Sequence, residues 1–496
     1  MQLDKALAAL GVALACATAT VSLGGAEAAA AAAQPEVPAA RDERPNVVVL
    51  YVDDVDPKTP WLWGNRERTP HLARFRNQGV EFRHAVGSTP LCGPSRATLL
   101  TGQYSHNHGV TGNNLREFDP SDTLATRLQD AGYHTMLVGK AGNGIEDVAP
   151  RRKDVERLAQ GFDHYDVIWK RPVKFQGQFY GYSMWTRDEV LRKGYRSQDH
   201  STYVVGKRLA GHIRKAPDDQ PVFAIASLNS GHDPNTPFRW HEDAEDCARV
   251  GAYKAPSYNE NDVSDKPAYI RDLPRLKRSS FDLRSRCEEF MGVEATLRRI
   301  RGALRETGRL RNTLFVFTAD NGYLMGDHRM PGVGDKWWPH SIPIPLYVLW
   351  PEALGNERRV VREPVSTVDL PVTICALAGC SLKDADGLDI TPLLRAEADE
   401  LEREYLYLEL LRPRDRMPPW YGLMTTRAFD EEVVFQYVEY RSGERELYNL
   451  TRDPYRLHNL AAKDRKAALV EELHRRLHDE VITPERVAFP LPRTGS

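Results

Sequence analysis

Cys92 and Arg96 lie four residues apart in the stretch CGPSR, at a point where the sequence indicates the start of a helix. Pro94 suits the first turn of a helix, and Gly102 would end it. Free backbone N–H groups and the helix dipole favour an anion at such a start. The spacing would bring the Arg96 guanidinium near Cys92 if one helical turn includes both. The alternative is a packed or disulfide-bonded cysteine beside a surface arginine.

Two apolar runs each end abruptly in a pair of oxygen-bearing side chains. NVVVLYVDD ends in Asp53 and Asp54, and TLFVFTADNG carries Asp320 and Asn321 near its end. Continuous apolar strands predict a parallel sheet covered by helices on both faces, with ligand sites at the carboxyl ends of its strands. The two pairs would meet at one edge as a set of hard oxygens, which favours Ca²⁺ or Mg²⁺ over zinc. Either pair alone would be typical of an ordinary strand-ending turn.

Length and charge limit the classes of function. The 496 residues exceed what one small core requires, so they predict one large domain with an appendage. Sixty-seven basic and 69 acidic residues give a net charge of −2. This balance gives no electrostatic case for nucleic acid or an anionic membrane as partner. An anionic substrate would have to be attracted by a local site.

The first 28 residues predict an export signal, because an apolar stretch follows Lys5 and small residues precede the predicted cleavage point. A flexible tether is expected over residues 29–44. A membrane anchor is the alternative for the first segment, but no cluster of basic stop-transfer residues follows it. A lipoprotein anchor at Cys16 is a second alternative. No later stretch is apolar enough to span a bilayer, so we expect a secreted, periplasmic or cell-surface protein.

Five cysteines remain after the predicted signal, an odd number for an oxidising compartment, which tends to pair them. Cys375 and Cys380 are close enough in sequence to bridge locally. Cys247 and Cys287 could close a longer loop. Cys92 would then belong to no disulfide, although sequence alone does not fix the connectivity.

The order of the patterns predicts an α/β protein with a large mixed, mainly parallel sheet sandwiched by helices. We expect this large domain over residues 45–398, up to the charged run RAEADELERE. Alternating apolar stretches follow within residues 399–496 and predict a small antiparallel sheet. The segment DRKAALVEELHRRLHDEVI reads as an amphipathic helix packed on that sheet.

CGPSR, followed by ATLLTGQY, resembles the C-x-P-x-R signature of the type I sulfatases, formylglycine-dependent hydrolases of the alkaline phosphatase-like superfamily. Other blocks are similar to family blocks and follow in the same order, over roughly residues 45–461: PNVVVLYVDD, YHTMLVGK, SGHDPNTP, TADNGYLMGDHR and ELYNLTRDPYRLHNLA. The chain most resembles the branch of N-acetylglucosamine-6-sulfatase and its bacterial arylsulfatase relatives. The resemblance implies an exported sulfuric ester hydrolase that acts on aryl sulfates or sulfated sugars.

The resemblance also implies a covalent modification. In this family, a formylglycine-generating enzyme oxidises the cysteine that matches Cys92 to 3-oxoalanine, also called Cα-formylglycine. The aldehyde hydrate attacks sulfur, and the sulfated hemiacetal then expels sulfate. A divalent cation, Ca²⁺ with Mg²⁺ as the other option, would balance the charge that grows on the sulfuryl oxygens. The implied ligands of this cation are Asp53, Asp54, the converted Cys92, Asp320 and Asn321.

Further roles carry over by resemblance. Arg96 would orient the formylglycine and neutralise nearby anions. Lys140 in LVGK and Lys336 in GDKWWP match two family lysines that contact the sulfate. His232 in SGHDP matches the histidine that protonates the leaving oxygen, a task suited to imidazole near neutral pH.

The chain departs from the common family pattern at two places. Gly142 and Asn143 follow Lys140, where many sulfatases carry a histidine two residues after the lysine. The stretch KWWPHSIPIP lacks the usual acidic pair and has Pro343 where arginine is common. Two other readings therefore stay open beside sulfate ester hydrolysis. One is hydrolysis of phosphonate or phosphate esters by the same framework, and the other is a catalytically silent relative that binds metal or glycan.

Overall fold

The computed structural model describes eight stretches of the chain: residues 43–57, 69–170, 179–248, 250–277, 282–330, 338–413, 417–427 and 429–481. The predicted export signal, most of the predicted tether and Lys336 lie outside these stretches.

Sixteen strands form three sheets in the described part of the chain. Their bounds are β1 Asn46–Val52, β2 Val80–Phe82, β3 Ala85–Val86, β4 His134–Gly139, β5 His164–Lys170, β6 Ser183–Thr186, β7 Val190–Arg192, β8 Val222–Ser227, β9 Thr313–Ala319, β10 Leu346–Leu349, β11 Arg359–Val361, β12 Val365–Ser366, β13 Tyr405–Leu410, β14 Trp420–Thr425, β15 Phe435–Tyr440 and β16 Arg445–Asn449. The ten-stranded sheet has the order β11-β2-β10-β9-β1-β8-β4-β5-β6-β7. Its five central strands, β9 to β5 in this order, run parallel, and antiparallel strands flank them.

Thirteen α-helices lie in the described part of the chain, and several of them pack against this sheet in two groups. Their bounds are α1 Pro70–Gln78, α2 Cys92–Thr101, α3 Ser105–His108, α4 Leu124–Asp130, α5 Ile145–Val148, α6 Arg152–Leu158, α7 Ser201–Lys215, α8 Ala268–Arg271, α9 Leu283–Glu306, α10 Pro351–Leu354, α11 Asp369–Ala378, α12 Thr391–Arg395 and α13 Ala467–Arg476. Helix α9 contacts both α1 and α7 in one group, and α2, α4 and α11 contact one another in the other. Among the described helices, none is both long and apolar enough to cross a membrane.

The central strands are continuous apolar runs because both faces of the sheet are covered. Every residue of β1, β8 and β9 is buried. Their side chains form the main core together with the apolar faces of α7 and α9. The predicted fold class, a large and mainly parallel sheet sandwiched by helices, is confirmed.

The predicted C-terminal sheet is also confirmed: β13 to β16 form a four-stranded antiparallel meander. Helix α13 packs on one face of it through Val470 and Leu473, and Leu477 just beyond the helix joins them. The other face contacts the segment before helix α2, where Leu408 and Trp420 share a core with Leu91. This sheet therefore reaches the residue that precedes helix α2.

The cysteines pair as the spacing suggested. Cys247 and Cys287 form one disulfide, and Cys375 and Cys380 form a second. Cys92 is buried and belongs to neither. Of the five cysteines that follow the predicted signal, the one outside both disulfides thus lies at the start of helix α2.

Gly139 closes strand β4 immediately before Lys140. Its φ of 121° lies in the region that favours glycine. A Cβ atom at this position would lie only 1.8 Å from the carbonyl oxygen of Ser227, the residue paired with Gly139 on β8. Only glycine lets the two strand ends approach this closely, and this approach places Lys140 at the carboxyl edge of the sheet.

We predict that Gly139→Ala lowers the free energy of unfolding by about 2–4 kcal/mol, because the methyl group forces the two strand ends apart. Gly211→Ala is the matched control, since a Cβ on that glycine of helix α7 meets nothing within 4 Å. Thermal and denaturant unfolding of the two variants would measure the difference. Equal stability of the two variants would contradict this account of the strand ends.

Candidate active site

The two predicted acidic pairs meet at one edge of the sheet. Strands β1 and β9 are parallel and in register up to their last residues, Val52 and Ala319. Asp53 and Asp54 follow the first strand, and Asp320 and Asn321 follow the second. The backbone N–H of Asp54 donates a hydrogen bond to Asp320 Oδ1 at 3.0 Å, which joins the two turns directly.

Cys92 completes a compact group of potential ligands with these carboxylates. One ligand atom from each of Asp53, Asp54, Asp320 and Cys92 lies within 4.8 Å of all the others, and all four residues are buried. Helix α2 begins at Cys92 and ends before Gly102, which adopts the left-handed conformation. The predicted bounds of this helix are confirmed. Its first residue is therefore aimed at the acidic strand ends, with Cys92 Sγ 3.9 Å from Asp54 Oδ1.

Arg96 contacts residues at four strand ends, whereas the sequence spacing predicted only that it lies near Cys92. Its Nη1 donates to the carbonyl oxygen of Lys140 at 3.0 Å and to Ser227 Oγ at 2.6 Å. Its Nη2 donates to Asp320 Oδ2 at 2.8 Å and lies 3.5 Å from Asp53 Oδ1. These contacts reach residues at or beyond the ends of β4, β8, β9 and β1. The predicted surface-arginine alternative is wrong, because the side chain is buried.

The charges of the two buried cations control the carboxylates around them. Lys140 Nζ donates to Asp53 Oδ2 at 2.5 Å. Burial alone would raise the pKa of Asp53, but Lys140 and Arg96 hold it well below its usual range. Burial and the adjacent charge of Asp53 raise the pKa of Asp320 to about 7. Two cations are thus too few for three buried carboxylates, which leaves excess negative charge for a bound cation.

The donor atoms themselves fit a hard divalent cation. Asn321 Nδ2 donates to Asp54 Oδ1 at 2.7 Å and to the carbonyl of Gly322 at 2.8 Å. Its own Oδ1 is buried and has no hydrogen-bond partner among the described residues, and the same holds for Asp53 Oδ1. A buried oxygen without a donor is costly unless a cation uses it. The four oxygen ligands predicted from sequence therefore suit Ca²⁺ or Mg²⁺.

His232 lies at the opening of this group, with its side chain 23% exposed. Its Nε2 is 3.8 Å from Asp54 Oδ2, and its Nδ1 donates to the carbonyl oxygen of Asp233 at 2.6 Å. The Nδ1 hydrogen bond fixes the ring, so Nε2 is the nitrogen that faces the acidic group. The structure thus brings His232 together with Arg96, Lys140 and the predicted ligands. Lys336 lies outside the described residues.

Sequence reasoning missed a buried arginine that holds two loops of the site. Arg286 on helix α9 donates to the carbonyl oxygens of Asp54 and Gly231, each at 2.6 Å. It therefore ties the turn after β1 to the residue before His232. Glu289, one turn further on, accepts from the Gly231 N–H at 3.2 Å, and burial raises its pKa well above the usual range. Two charged residues on the apolar face of a long helix were the available signal.

The first departure from the family pattern has a steric reason. A Cβ on Gly142 would lie 2.6 Å from Leu115 Cδ1, so a histidine would force Leu115 to move. Asn143 Oδ1 is buried without a hydrogen-bond partner in the described part of the chain.

At the second departure from the family pattern, in the stretch that follows Lys336, aromatic side chains pack against one another. His340 stacks on Trp338 with ring centroids 3.4 Å apart and shares a hydrogen bond with His328 at 3.0 Å.

Comparison with known families decides which hydrolase scaffold this is. Residues 45–380 match the sulfatase family, which covers more than half of the chain. The chain belongs to the sulfatase family. Residues 332–482 also match the C-terminal region of N-sulphoglucosamine sulphohydrolase. Because the chain belongs to the sulfatase family and its relatives are named sulfatases, it is a sulfuric ester hydrolase.

Curated relatives are similar over most of the sulfatase. Human N-acetylglucosamine-6-sulfatase is 26% identical, over 85% of this chain and 82% of the human protein. N-acetylglucosamine-6-O-sulfatase of Bacteroides thetaiotaomicron is 22% identical, over 88% of this chain and 86% of that protein. The extracellular sulfatase SULF-1 homolog of Drosophila melanogaster is 27% identical over 72% of this chain, which spans only 32% of the fly protein.

Solved structures share the fold. A protein in complex with D-glucosamine-2-N,6-O-disulfate superposes with a TM-score of 0.70 at 20% identity, covering 89% of this chain and 98% of the other. A phosphonate monoester hydrolase from Silicibacter pomeroyi gives a TM-score of 0.66 at 21% identity, with 88% and 94% covered. The same fold thus occurs in a protein bound to a sulfated sugar and in a protein named a phosphonate monoester hydrolase.

We predict that Ca²⁺ stabilises the sulfatase through the acidic group. Chelation should lower the melting temperature, and Ca²⁺ should restore it, because a ligand at about 100 times its Kd adds about 2.7 kcal/mol to the free energy of unfolding. Asp320→Asn should lose this Ca²⁺-dependent rise together with turnover. Asp218→Asn, at a side chain that is 98% exposed, is the matched control. An Asp320→Asn protein that keeps the full rise would contradict the assignment.

Proposed function

We propose that this sulfatase is exported and hydrolyses sulfate monoesters, of sugars or aryl alcohols, with Cα-formylglycine made from Cys92 and with a bound Ca²⁺. Membership of the sulfatase family supports the reaction class. The relatives named for N-acetylglucosamine 6-sulfate support a sulfated sugar as the substrate class. The predicted signal segment and relatives that are named extracellular support export.

One observation carries the proposal for Cys92: a single sulfur lies among hard oxygen ligands. Its Sγ belongs to the same compact group as three carboxylates. Thiolates favour soft metals such as zinc or Cu(I), whereas carboxylates favour Ca²⁺ and Mg²⁺. Oxidation of Cys92 to formylglycine replaces the sulfur with oxygen and makes the donor set uniform. The exchange is a two-electron oxidation of the side-chain carbon: a formylglycine-generating enzyme would pass the two electrons and two protons to an acceptor such as dioxygen, water would supply the carbonyl oxygen, and the sulfur would leave as sulfide.

Each absent group would supply one kind of chemistry. The formylglycine hydrate would provide a nucleophilic hydroxyl and a second hydroxyl that allows sulfate to leave. The cation would balance negative charge on the sulfuryl oxygens, held by Asp53, Asp54, Asp320 and Asn321.

The chain's own cations would complete this charge balance. Lys140 already contacts Asp53 from one side, and Arg96 contacts Asp320 from the other. Both are buried, so their interactions with an incoming sulfate are weakly screened by water. They would keep Asp53 ionised and would attract an anion to a chain whose net charge is close to zero. Lys336 stays a predicted sulfate contact on the strength of the family pattern.

His232 would act on the leaving group. Because Nδ1 is engaged by the Asp233 carbonyl, only Nε2 can deliver a proton toward the acidic group. Partial exposure of the ring lets it exchange this proton with solvent between turnovers. Arg286 and Glu289 would act as positioning residues, since both hold Gly231 and both side chains are fully buried.

Phosphonate ester hydrolysis is the second candidate function. It is favoured by the structural likeness to the phosphonate monoester hydrolase, which extends over 88% of this chain. Sulfate and phosphonate monoesters both present a tetrahedral anionic centre, so the same cations and ligands could serve either. Relative rates on an aryl sulfate and on the matching aryl phosphonate distinguish the two functions.

We predict that active protein, made in a host that contains the modifying enzyme, carries formylglycine at position 92. The peptide that contains this position should be about 18 Da lighter than its cysteine form and should react with hydrazines. Cys92→Ser should fold, because the change is small, yet lose nearly all turnover of aryl sulfate. Its hydroxyl could accept a sulfuryl group but could not expel it. Full turnover from wholly unmodified protein would overturn the mechanism. Faster turnover of aryl phosphonate would favour the second candidate.

We predict that His232→Ala slows esters with poor alkyl leaving groups more than activated aryl sulfates. A good leaving group needs little proton donation, so its rate depends less on a general acid. General acid catalysis contributes about 10²–10⁴-fold, and most of that loss should appear with the alkyl sulfate. Steady-state rates over a series of leaving-group pKa values would measure it. An equal loss for all esters would show that His232 only binds the substrate.

A further inference from the structure

A second group of metal-ligating side chains lies on the C-terminal sheet, away from the strand ends that carry the catalytic residues. It consists of Glu439 on strand β15, His474 on helix α13 and His478 in the turn that continues this helix; we call it the His–Glu cluster. One ligand atom from each of its members lies within 4.8 Å of the others. Its residues take no part in the proposed reaction.

The spacing of the two histidines places both on one side of the helix. His474 and His478 are four residues apart, and their ring centroids are 4.3 Å apart. The helix widens to π geometry over Leu477–Val481, so His478 lies in an irregular turn of the kind often found at functional sites. Apolar packing does not account for the pair, because the helix face on the core carries Val470 and Leu473 instead.

Both imidazole rings contact the carboxylate of Glu439. His474 Nδ1 lies 2.7 Å from Glu439 Oε2, and His478 Nε2 lies 3.3 Å from Glu439 Oε1. Zinc binds nitrogen and oxygen ligands at about 2.0–2.2 Å, so two ligands at a tetrahedral angle lie about 3.3–3.5 Å apart. The His478–Glu439 separation matches this geometry, and a small ring rotation would bring His474 to it.

We propose that the His–Glu cluster is a second metal site, which takes a borderline transition-metal ion such as Zn²⁺. Two imidazoles and one carboxylate are a donor set that suits zinc. They do not suit Ca²⁺, because Ca²⁺ prefers ligands that are all oxygen atoms. The partial exposure of all three side chains leaves room for water as a fourth ligand. The negative end of the dipole of helix α13 adds a favourable field for a cation.

Arg445 is the charged group that such an ion must displace, and the Tyr437 hydroxyl also donates to Glu439 Oε2, at 3.0 Å. Its Nη2 lies 3.1 Å from His474 Nδ1, and its Nε lies 3.7 Å from Glu439 Oε2. Without metal, this guanidinium and the two rings compensate the half-buried carboxylate. Burial alone would raise the pKa of Glu439, but His474, His478 and Arg445 hold it below its usual range, so the carboxylate is ionised. The Arg445 side chain is 32% exposed and can turn toward solvent when a metal ion binds.

The metal would fasten the last described helix to the sheet. Helix α13 is held on its core face by Val470 and Leu473, and Leu477 just beyond the helix is buried with them. A segment that only a few buried side chains hold opens more readily than the interior of the fold. An ion shared by β15 and the end of α13 would oppose this opening and would raise the thermal stability of the C-terminal sheet.

The test is Zn²⁺ binding to the full-length protein in saturating Ca²⁺, measured by equilibrium dialysis and by thermal unfolding. Wild type should bind a Zn²⁺ ion that His478→Gln binds at least about tenfold more weakly. His458→Gln, at an exposed histidine outside the cluster, should bind like wild type. Arg445→Gln should bind about two- to fivefold more tightly, because a nearby positive charge is removed. Turnover should be the same in all four proteins.

Two outcomes would overturn the site. One is that wild type binds no Zn²⁺ ion beyond those that His478→Gln also binds. The other is a Zn²⁺-dependent rise in melting temperature that is equal in wild type and His478→Gln. Tighter binding by Arg445→Gln, together with an unchanged His458→Gln, would support the site independently of the loss in His478→Gln. None of these readouts depends on sulfatase activity, so failure of the proposed function would leave the test intact.

Discussion

A single buried guanidinium holds the carboxyl edge of the large sheet of this sulfatase together. Arg96 donates to groups at the ends of two strands, Lys140 and Ser227, and pairs with the carboxylates that follow two others. Parallel strands bring their carboxyl ends to one edge, but nothing in a sheet fixes the turns beyond those ends. Arg96 fixes them, because five donors in a planar fork can satisfy several acceptors at once. Removal of one partner from such a buried network costs about 3–5 kcal/mol.

The same arrangement explains why a cation and an anion would bind together at this site. Three carboxylates are buried within a few ångströms, and the protein supplies two cations to balance them, Arg96 and Lys140. The raised pKa of Asp320 shows that the balance is incomplete without a further positive charge. A bound divalent cation would reverse the excess and leave the site net positive toward a sulfate. Charge is thus matched locally, which a chain of net charge −2 could not achieve through its overall field.

Sequence patterns predicted the parts of the site that follow strands or begin a helix, and missed those that reach in from elsewhere. Apolar runs that end in Asp53 and Asp320 are local signals, as is the helix start at Cys92. Arg286 gave no such signal, because its partners are backbone carbonyls more than 50 residues away in sequence. The i to i+4 spacing placed Arg96 near Cys92, yet its bonds to other strand ends depend on tertiary packing that no local pattern encodes.

The C-terminal sheet is less of an appendage than its sequence suggests, because it supports the segment that carries Cys92. The Glu409 N–H on β13 donates to the Ser88 carbonyl at 3.0 Å, and Glu409 accepts from His106 Nδ1 at 3.1 Å. These bonds hold the chain on both sides of helix α2, while Leu91 packs into the core beneath the sheet. Loosening of the sheet would therefore displace the start of α2. The position of residue 92 thus depends on the stability of the C-terminal sheet.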